Sequence, residues 1–307
     1  MNCLVIGYGS IGERHHRILK EMGHDVSVVS LRHLSGVKLF HSVDDAISSE
    51  QPDYVVIANK TSDHRNTLIK VSDALSTQNL LNTRILVEKP LFHTSIDHPF
   101  EATFKTYVGY HLRFHPIMKE LKKRINQNKC LTAFAYVGQY LPLFRPQRDY
   151  RESYSSKLSE GGGALRDLSH ELDYLSWFFG KPNNLFSLSG KISSLDIDSD
   201  DAATVLMSMQ HCQMVMCELN YLDRPGKRFL NINTRDATLF ADLIDNSLMV
   251  DNHKMDFSCD KDTPYREMHR SILEGESSEA CTFSEGQTAM NLIKRIEGMK
   301  EAKQMIL

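Results

Sequence analysis

The sequence predicts an α/β chain in two parts: a parallel, doubly wound half, then an α+β half built on a large, mostly antiparallel open sheet. Three observations predict it. The apolar run Cys3-Leu4-Val5-Ile6 meets three glycines, Gly7, Gly9 and Gly12, spaced G-x-G-x-x-G ahead of a helical segment. Short apolar runs then alternate with helix-compatible stretches as far as Val108. Beyond residue 130, apolar runs succeed one another with only one helical stretch between them, the pattern of an antiparallel meander.

The totals bound the class. At 307 residues the chain is long for one hydrophobic core. Its hydrophobic fraction of 41% and charged fraction of 24% are those of a globular protein, so neither a disordered nor a fibrous class fits. A net charge of -3 offers no electrostatic footprint for nucleic acid or an anionic membrane. No apolar run approaches the ~20 residues that span a bilayer. The first strand begins at once, without the basic region and cleavage site of a signal peptide. The 6 cysteines form no C-x-x-C pair, which predicts reduced thiols and a cytoplasmic location.

Taken in order, the first elements are a buried strand, a tight turn and a helix from Ile11 to Met22 whose N-terminal amides point at a diphosphate. Gly7 makes the turn, Gly9 lets backbone approach the pyrophosphate, and Gly12 lets the helix pack on the strand; Ser10 and Ile11 lie between them. This is the Rossmann dinucleotide-binding pattern. A second strand, Asp25–Val29, ends without the acid that would hold the ribose hydroxyls of NAD. Ser30 and Arg32 stand there instead, and a hydroxyl with a guanidinium suits a 2′-phosphate, so NADP is the expected cofactor, with NAD the other possibility.

Val37–Phe40 reads as a third strand, and Val43–Ser49 as a helix capped by Ser42. Tyr54–Ala58 is a strand closed by Asn59-Lys60-Thr61-Ser62, followed by a helix to Ser76. Arg84–Val87 is a strand ending in Glu88-Lys89-Pro90, and Thr103–Val108 is the last strand of this half. Ligands of such sheets bind at the carboxyl ends of strands, where Gly7–Gly12, Asn59 and Glu88–Pro90 all fall. Pro116 opens a helix reaching Asn126, placing the domain border after residue 116: 1–116, then 117–307. His111 and His115 are four apart, but no carboxylate or Cys cluster accompanies them, so no metal site is expected.

In the second half, Thr132–Tyr140, Asn184–Ile192, Ala202–Gln210, Gln213–Tyr221, Arg228–Thr234 and Thr238–Leu243 are strand-like. Helices are expected at Gly163–Phe179, Pro264–Glu274 and Ser284–Met305. On one continuous helix, Asp167, His170 and Asp173 would recur along one side. There His170 can accept the proton of a hydroxyl being oxidised, and Asp167 can orient it or hold a neighbouring hydroxyl. Upstream, Arg145, Arg148 and Arg151 crowd a proline-bearing loop, suited to a phosphate or carboxylate on a substrate or to ion pairs with Glu152 and Glu160.

The glycine turn, Glu88-Lys89-Pro90 and the run Gly109-Tyr110-His111-Leu112-Arg113-Phe114-His115-Pro116 together resemble the Gfo/Idh/MocA oxidoreductases. The resemblance implies that Lys89 sits beside nicotinamide and sugar and takes part in proton transfer. It also implies that Tyr110, Arg113 and His115 border the substrate cleft, and that the second-domain sheet makes a homodimer or homotetramer. The family commonly shows three glycines, an Asp, then three residues and a His. Here the interval from Asp167 to His170 is one residue shorter, which displaces Asp167 or puts Arg166 in the carboxylate's place. The implied reaction moves a hydride between nicotinamide and a hydroxyl-bearing carbon of a sugar, cyclitol or phosphorylated or nucleotide-linked sugar. A hydride cycle with net elimination or glycoside cleavage, and a non-catalytic nucleotide sensor, are the alternatives.

Overall fold

The structure is a computed structural model that describes residues 1–93, 101–125, 130–275 and 279–304, the last five as backbone only. It divides into two compact units. The first holds β1 (Asn2–Ile6), α1 (Ser10–Glu21), β2 (Asp25–Val29), β3 (Lys38–Phe40), α2 (Val43–Glu50), β4 (Tyr54–Ile57), α3 (His64–Thr77), β5 (Arg84–Val87) and β6 (Thr106–Val108). Its six strands lie in the order β3-β2-β1-β4-β5-β6, all parallel. Strand order reverses between β1 and β4, so the carboxyl ends of these two strands flank the crevice where such sheets bind ligands. The strands are nearly continuous apolar runs because helices cover both faces; Tyr54, Val55, Val56 and Ile57 are all buried. Ser42 caps α2 by accepting from the Asp45 amide, as its spacing predicts.

The second unit opens with α4 (Pro116–Arg124), which stops two residues before the expected Asn126; Asn126 itself lies outside the described residues. Then come β7 (Cys130–Gly138), α5 (Leu141–Phe144), α6 (Ala164–Asp167), α7 (His170–Phe179), β8 (Pro182–Gly190), β9 (Ala202–Met209), β10 (Cys212–Asn220), β11 (Lys227–Thr234), β12 (Thr238–Asp242), β13 (Ser247–Val250) and β14 (His253–Asp256). They build an eight-stranded sheet in the order β14-β13-β12-β11-β7-β10-β9-β8. Only β7 and β10 pair in parallel, with Cys217 opposite Ala135; the other neighbours are antiparallel.

Two expectations change. The predicted helix from Gly163 to Phe179 is two helices broken at Leu168 and Ser169, so Asp167 closes one and His170 opens the next. The final elements also divide differently from sequence order. The chain returns to the first unit through Asp260–Gln287, which carries α8 (Thr263–Glu274) and the first turn of α9 (Phe283–Gln304). Residues 117–307 therefore do not form one continuous domain. The physical reason is apolar: Tyr265, Met268, Ile272 and Leu273 join Cys3, Val5, Tyr54 and Val56 in one buried core. Met305, the expected end of α9, lies outside the described residues.

Candidate active site

The three glycines of the turn stand in different surroundings. Gly7 has φ +94°, and a Cβ there would stand 2.6 Å from the Asn59 Cα. A Cβ on Gly12 would stand 2.1 Å from the Gly7 carbonyl oxygen. Both glycines are demanded by the protein's own packing. Gly9 is not: a Cβ there meets nothing within 4 Å. It is the N-cap of α1, and the first N–H groups of Ser10, Ile11 and Gly12 have no acceptor within the helix. Beside the turn, Asn59 donates its Nδ2 hydrogen to Thr67 Oγ1 at 2.7 Å, while its buried Oδ1 finds no partner among the described residues. Open space at Gly9, free helix amides and an orphaned buried acceptor fit a dinucleotide diphosphate.

At the end of β2, Ser30 is buried and its Oγ accepts from the Arg32 amide at 3.1 Å. Arg32 folds back over the glycine turn and donates Nη1–H to the Tyr8 carbonyl at 3.1 Å. The guanidinium therefore stands beside the turn, with the rest of its donor fork left for a ligand. Leu31 between them is exposed.

Glu88 and Lys89 follow β5. Glu88 is buried; its Oε2 accepts from the Lys89 amide at 3.0 Å and its Oε1 meets His15 Nε2 at 2.9 Å. Burial pushes its proton affinity up, but the His15 hydrogen bond and the charges beside it, that of Lys89 among them, bring it below the usual carboxylate range. The Lys89–Pro90 peptide is cis. His64, at the start of α3, holds the next stretch by donating Nδ1–H to the carbonyls of Pro90 and Leu91 at 3.2 and 3.3 Å. Burial lowers the proton affinity of this ring below that of an ordinary imidazole. Sequence reading places His64 in a helix turn and gives it no role; only its tertiary contact shows one.

Tyr110 and Arg113 are buried in the first unit. Arg113, only 1% exposed, donates to Glu285 Oε1 at 3.0 Å, and Glu285 in turn accepts from the Thr282 amide and hydroxyl. His115 caps α4 in the second unit: its Nδ1 accepts from the Ile117 amide, and its Nε2–H donates to Asn246 Oδ1 at 3.1 Å. Burial first, then the Arg228 charge, lowers its proton affinity although the Asn246 bond opposes them.

Also in the second unit, the Asp167 Oδ2 accepts from Ser155 Oγ at 2.6 Å and from the Tyr221 hydroxyl at 2.8 Å. Arg166 is turned to another task, a two-pronged pair with Glu297 at 2.9 and 2.9 Å. His170 and Asp173 are both buried on α7. Ser155 also lines a cavity of about 400 Å³, together with Leu141, Arg145, Arg148 and Tyr150. Of the three loop arginines, Arg151 is satisfied by Asp149 at 2.9 Å. Among the described residues, neither Arg145 nor Arg148 forms an ion pair, and Glu160 pairs with Lys157 instead. Ser155 and Tyr221 carry no sequence signal, because nothing in their neighbourhood along the chain points to Asp167. Among the described residues no group of three His, Cys, Asp or Glu side chains could hold a metal ion, and no helix is long and apolar enough to cross a membrane.

A parallel sheet with this turn, joined to an eight-stranded α+β unit, defines an oxidoreductase with an NAD-binding Rossmann domain, and sequence comparison agrees. Residues 1–98 match an oxidoreductase family with an NAD-binding Rossmann fold, and residues 119–240 match the GFO/IDH/MocA C-terminal domain. The chain belongs to the Gfo/Idh/MocA family. Among curated proteins no sequence match was found. Solved structures share the fold over nearly the whole chain. UDP-N-acetylglucosamine 3-dehydrogenase GnnA from Acidithiobacillus ferrooxidans is 18% identical, with 97% of each chain covered and a TM-score of 0.77. The WlbA dehydrogenase from Bordetella pertussis, in complex with NADH and UDP-GlcNAcA, is 18% identical over 97% of this chain and 95% of its own, with a TM-score of 0.76. Levoglucosan dehydrogenase in complex with NADH is 16% identical over 98% and 97%, with a TM-score of 0.82.

Proposed function

We propose that this protein is a dehydrogenase of a sugar hydroxyl, acting on a sugar that carries a phosphate, a carboxylate or a nucleotide. The observation that carries the anionic substrate is the cavity lined by Arg145 and Arg148, two guanidinium groups with no ion-pair partner among the described residues. GnnA, a UDP-N-acetylglucosamine 3-dehydrogenase, and WlbA, solved with NADH and UDP-GlcNAcA, support the same class. A bound nicotinamide supplies the hydride acceptor or donor. Lys89 takes the hydroxyl proton at Nζ and His170 shares that task at its ring; Asp167 orders the Ser155 and Tyr221 hydroxyls beside the cavity. Tyr110, Arg113 and His115 act on the substrate through the backbone they fix, since Arg113 and His115 are tied to Glu285 and Asn246.

The test is a panel of sugars, sugar phosphates and nucleotide sugars with NAD⁺ and NADP⁺, followed by reduced-nicotinamide absorbance. Net absorbance with an anionic sugar, and a KM raised about 10-fold or more by Arg148→Ala, supports the reading. Substrate consumption without net absorbance would mean a hydride cycle that returns the cofactor. For the cofactor, Ser30 and Arg32 favour NADP over NAD. Arg32→Ala should weaken NADP⁺ binding about 10-fold or more in a fluorescence titration and leave NAD⁺ nearly unchanged. A wild-type preference for NAD⁺ would overturn this part.

A second copy of the chain is the proposed partner. Phe186, Leu188 and Met214 are 69%, 65% and 61% exposed on the eight-stranded sheet, where Phe186 faces Leu206, Leu206 faces Met216 and Met216 faces Phe134 across neighbouring strands. Such a contiguous apolar face suits a homo-oligomer. Light scattering should give a dimer or tetramer that Met216→Lys weakens. The unpaired cysteine spacing supports a reducing compartment, the cytoplasm.

A further inference from the structure

Four buried polar side chains of the first unit form one hydrogen-bonded chain that ends beside Lys89. Glu88 Oε1 meets His15 Nε2 at 2.9 Å, His15 Nδ1 meets His269 Nε2 at 2.9 Å, and His269 Nδ1 meets the Tyr54 hydroxyl at 3.0 Å. His15, His269 and Tyr54 are wholly buried. The members come from α1, α8, β4 and the turn after β5, so this chain exists only because Asp260–Gln287 returns to the first unit.

Its proton positions follow from counting donors. Among the described residues, the Tyr54 hydroxyl has no hydrogen-bond partner other than His269, so its O–H donates to His269 Nδ1. His269 then carries its proton on Nε2 and donates to His15 Nδ1. His15 in turn carries its proton on Nε2 and donates to the Glu88 carboxylate. Every donor is used once and the run ends on an anion. Charging His15 at Nδ1 would reverse it: His269 would move its proton to Nδ1 and aim it at Tyr54, whose O–H would then lack an acceptor in a dry interior.

We propose that Tyr54 and His269 are positioning residues that keep His15 uncharged, so that Glu88 keeps a net negative charge beside Lys89 instead of cancelling it in an ion pair with His15. The inference rests on the proton-handling role proposed for Lys89. Burial holds His269 well below an ordinary imidazole, in keeping with a neutral relay. The other charged or titratable groups facing the chain are His111 and Lys89 around Glu88, and Tyr265 5.5 Å from the His15 ring with Arg14 above it. Cys3 and Tyr107 face Tyr54, His64 faces Glu88, and His24 bears on His269. Among the described residues, only Glu88 and His269 are hydrogen-bonded to His15.

Two measurements on the full chain decide it. Long-range proton–nitrogen NMR of histidine-labelled protein should show His15 as the neutral Nε2–H form from pH 6 to 8. In Tyr54→Phe, both senses of the chain leave one buried group unsatisfied, so the bias is lost; His269→Leu removes the donor to His15 altogether. His15 should then take up a proton with a midpoint raised by about 1 pH unit. In parallel, the Lys89-dependent limb of the kcat profile should move by roughly 0.5–1 unit to lower pH, with KM within twofold. A structural defect alone would lower kcat without moving the limb. Tyr54→Phe removes a single oxygen, so it keeps the test open should His269→Leu fail to fold. His15 doubly protonated at pH 7 in the unmodified protein, or titrating identically in both variants, would overturn the proposal. Turnover that survives Lys89→Ala would instead sink the role of Lys89, while the NMR arm still decides the chain.

Discussion

Glu88 in the first unit and Glu171 in the second are both buried carboxylates, yet the fold satisfies them by opposite means. Glu171 receives a guanidinium: Arg228 donates Nε–H and Nη2–H to its two oxygens at 2.8 and 3.1 Å. Glu88 receives an imidazole and a backbone amide. An arginine is charged at every working pH, so its pair is a fixed structural tie. An imidazole can change charge in the range where dehydrogenases work, so its pair can be tuned. Arg113 with Glu285 and Arg166 with Glu297 follow the fixed pattern, and both anchor residues of α9. The tunable pattern stands next to Lys89. The difference separates architecture from chemistry without any ligand in view.

The largest effect that sharpens this contrast is expected from Lys89→Ala. Removing a placed proton-transfer group should lower kcat by about 10²–10⁴, which is roughly 2.7–5.5 kcal/mol of barrier, while cofactor affinity and thermal stability change little. Near-normal turnover would show that the negative charge of Glu88 serves binding and not chemistry.

Arg228→Ala should do the reverse. It leaves Glu171 wholly buried and unpaired, and breaking such a pair costs about 3–5 kcal/mol. Arg228 itself is about a fifth exposed, so the lower end of that range is expected. Denaturant unfolding should show the loss, and the pH profile of whatever turnover remains should keep its shape. A moved profile would mean that the fixed pairs also tune the chemistry.

The titration of stability probes the tunable side more gently. His64, His115 and His269 all have proton affinities below an ordinary imidazole, with burial the leading cause in each. Groups lowered in the folded state are stabilising above the unfolded value near 6.5 and lose that contribution as pH falls through the folded one. Thermal unfolding should therefore weaken as pH drops below about 6.5, each histidine adding at most about 1.4 kcal/mol per pH unit. Glu88 and Glu285, also lowered, extend the loss to more acid pH. Tyr54→Phe should change the slope between pH 6.5 and 5; an unaltered slope would argue that His269 is not part of the effect.

What was legible in the sequence follows the range of the interactions. The glycine turn, the Ser42 cap and strands such as Asp25–Val29 and Arg84–Val87 are written in neighbouring residues, and each forms where its pattern lies. The chain through His15 is not, since His15 and His269 stand 254 positions apart and neither has a local signature. The break at Leu168 and Ser169 escaped a periodicity argument because Asp167 is drawn to Ser155 and Tyr221, both outside the segment. The hairpin of β13 and β14 is four residues a side and turns on Asp251 at φ +51°, too short for an alternating pattern to register. The parallel pairing of β7 with β10 has no sequence signal at all.

The smallest effect tests whether burial, and not the arginine itself, makes the fixed pairs. Arg151 and Asp149 repeat the two-pronged chemistry of Arg228 and Glu171, with Nε–H shared between both carboxylate oxygens at 2.9 Å. They differ in being exposed, by 57% and 36% at the side chain. Water competes for each group and the two residues are already held close by the chain, so little is gained when they meet. Asp149→Ala should leave the denaturant midpoint nearly unchanged, and less changed still in high salt. Because Asp149 also accepts from the Arg151 amide at 3.0 Å, what loss remains should persist when Arg151 is replaced by Gln. A large, salt-sensitive loss in Asp149→Ala that vanishes in the Arg151→Gln background would show that the guanidinium pair alone, even in water, fixes this part of the fold, and the contrast between Glu171 and Glu88 would then owe nothing to depth.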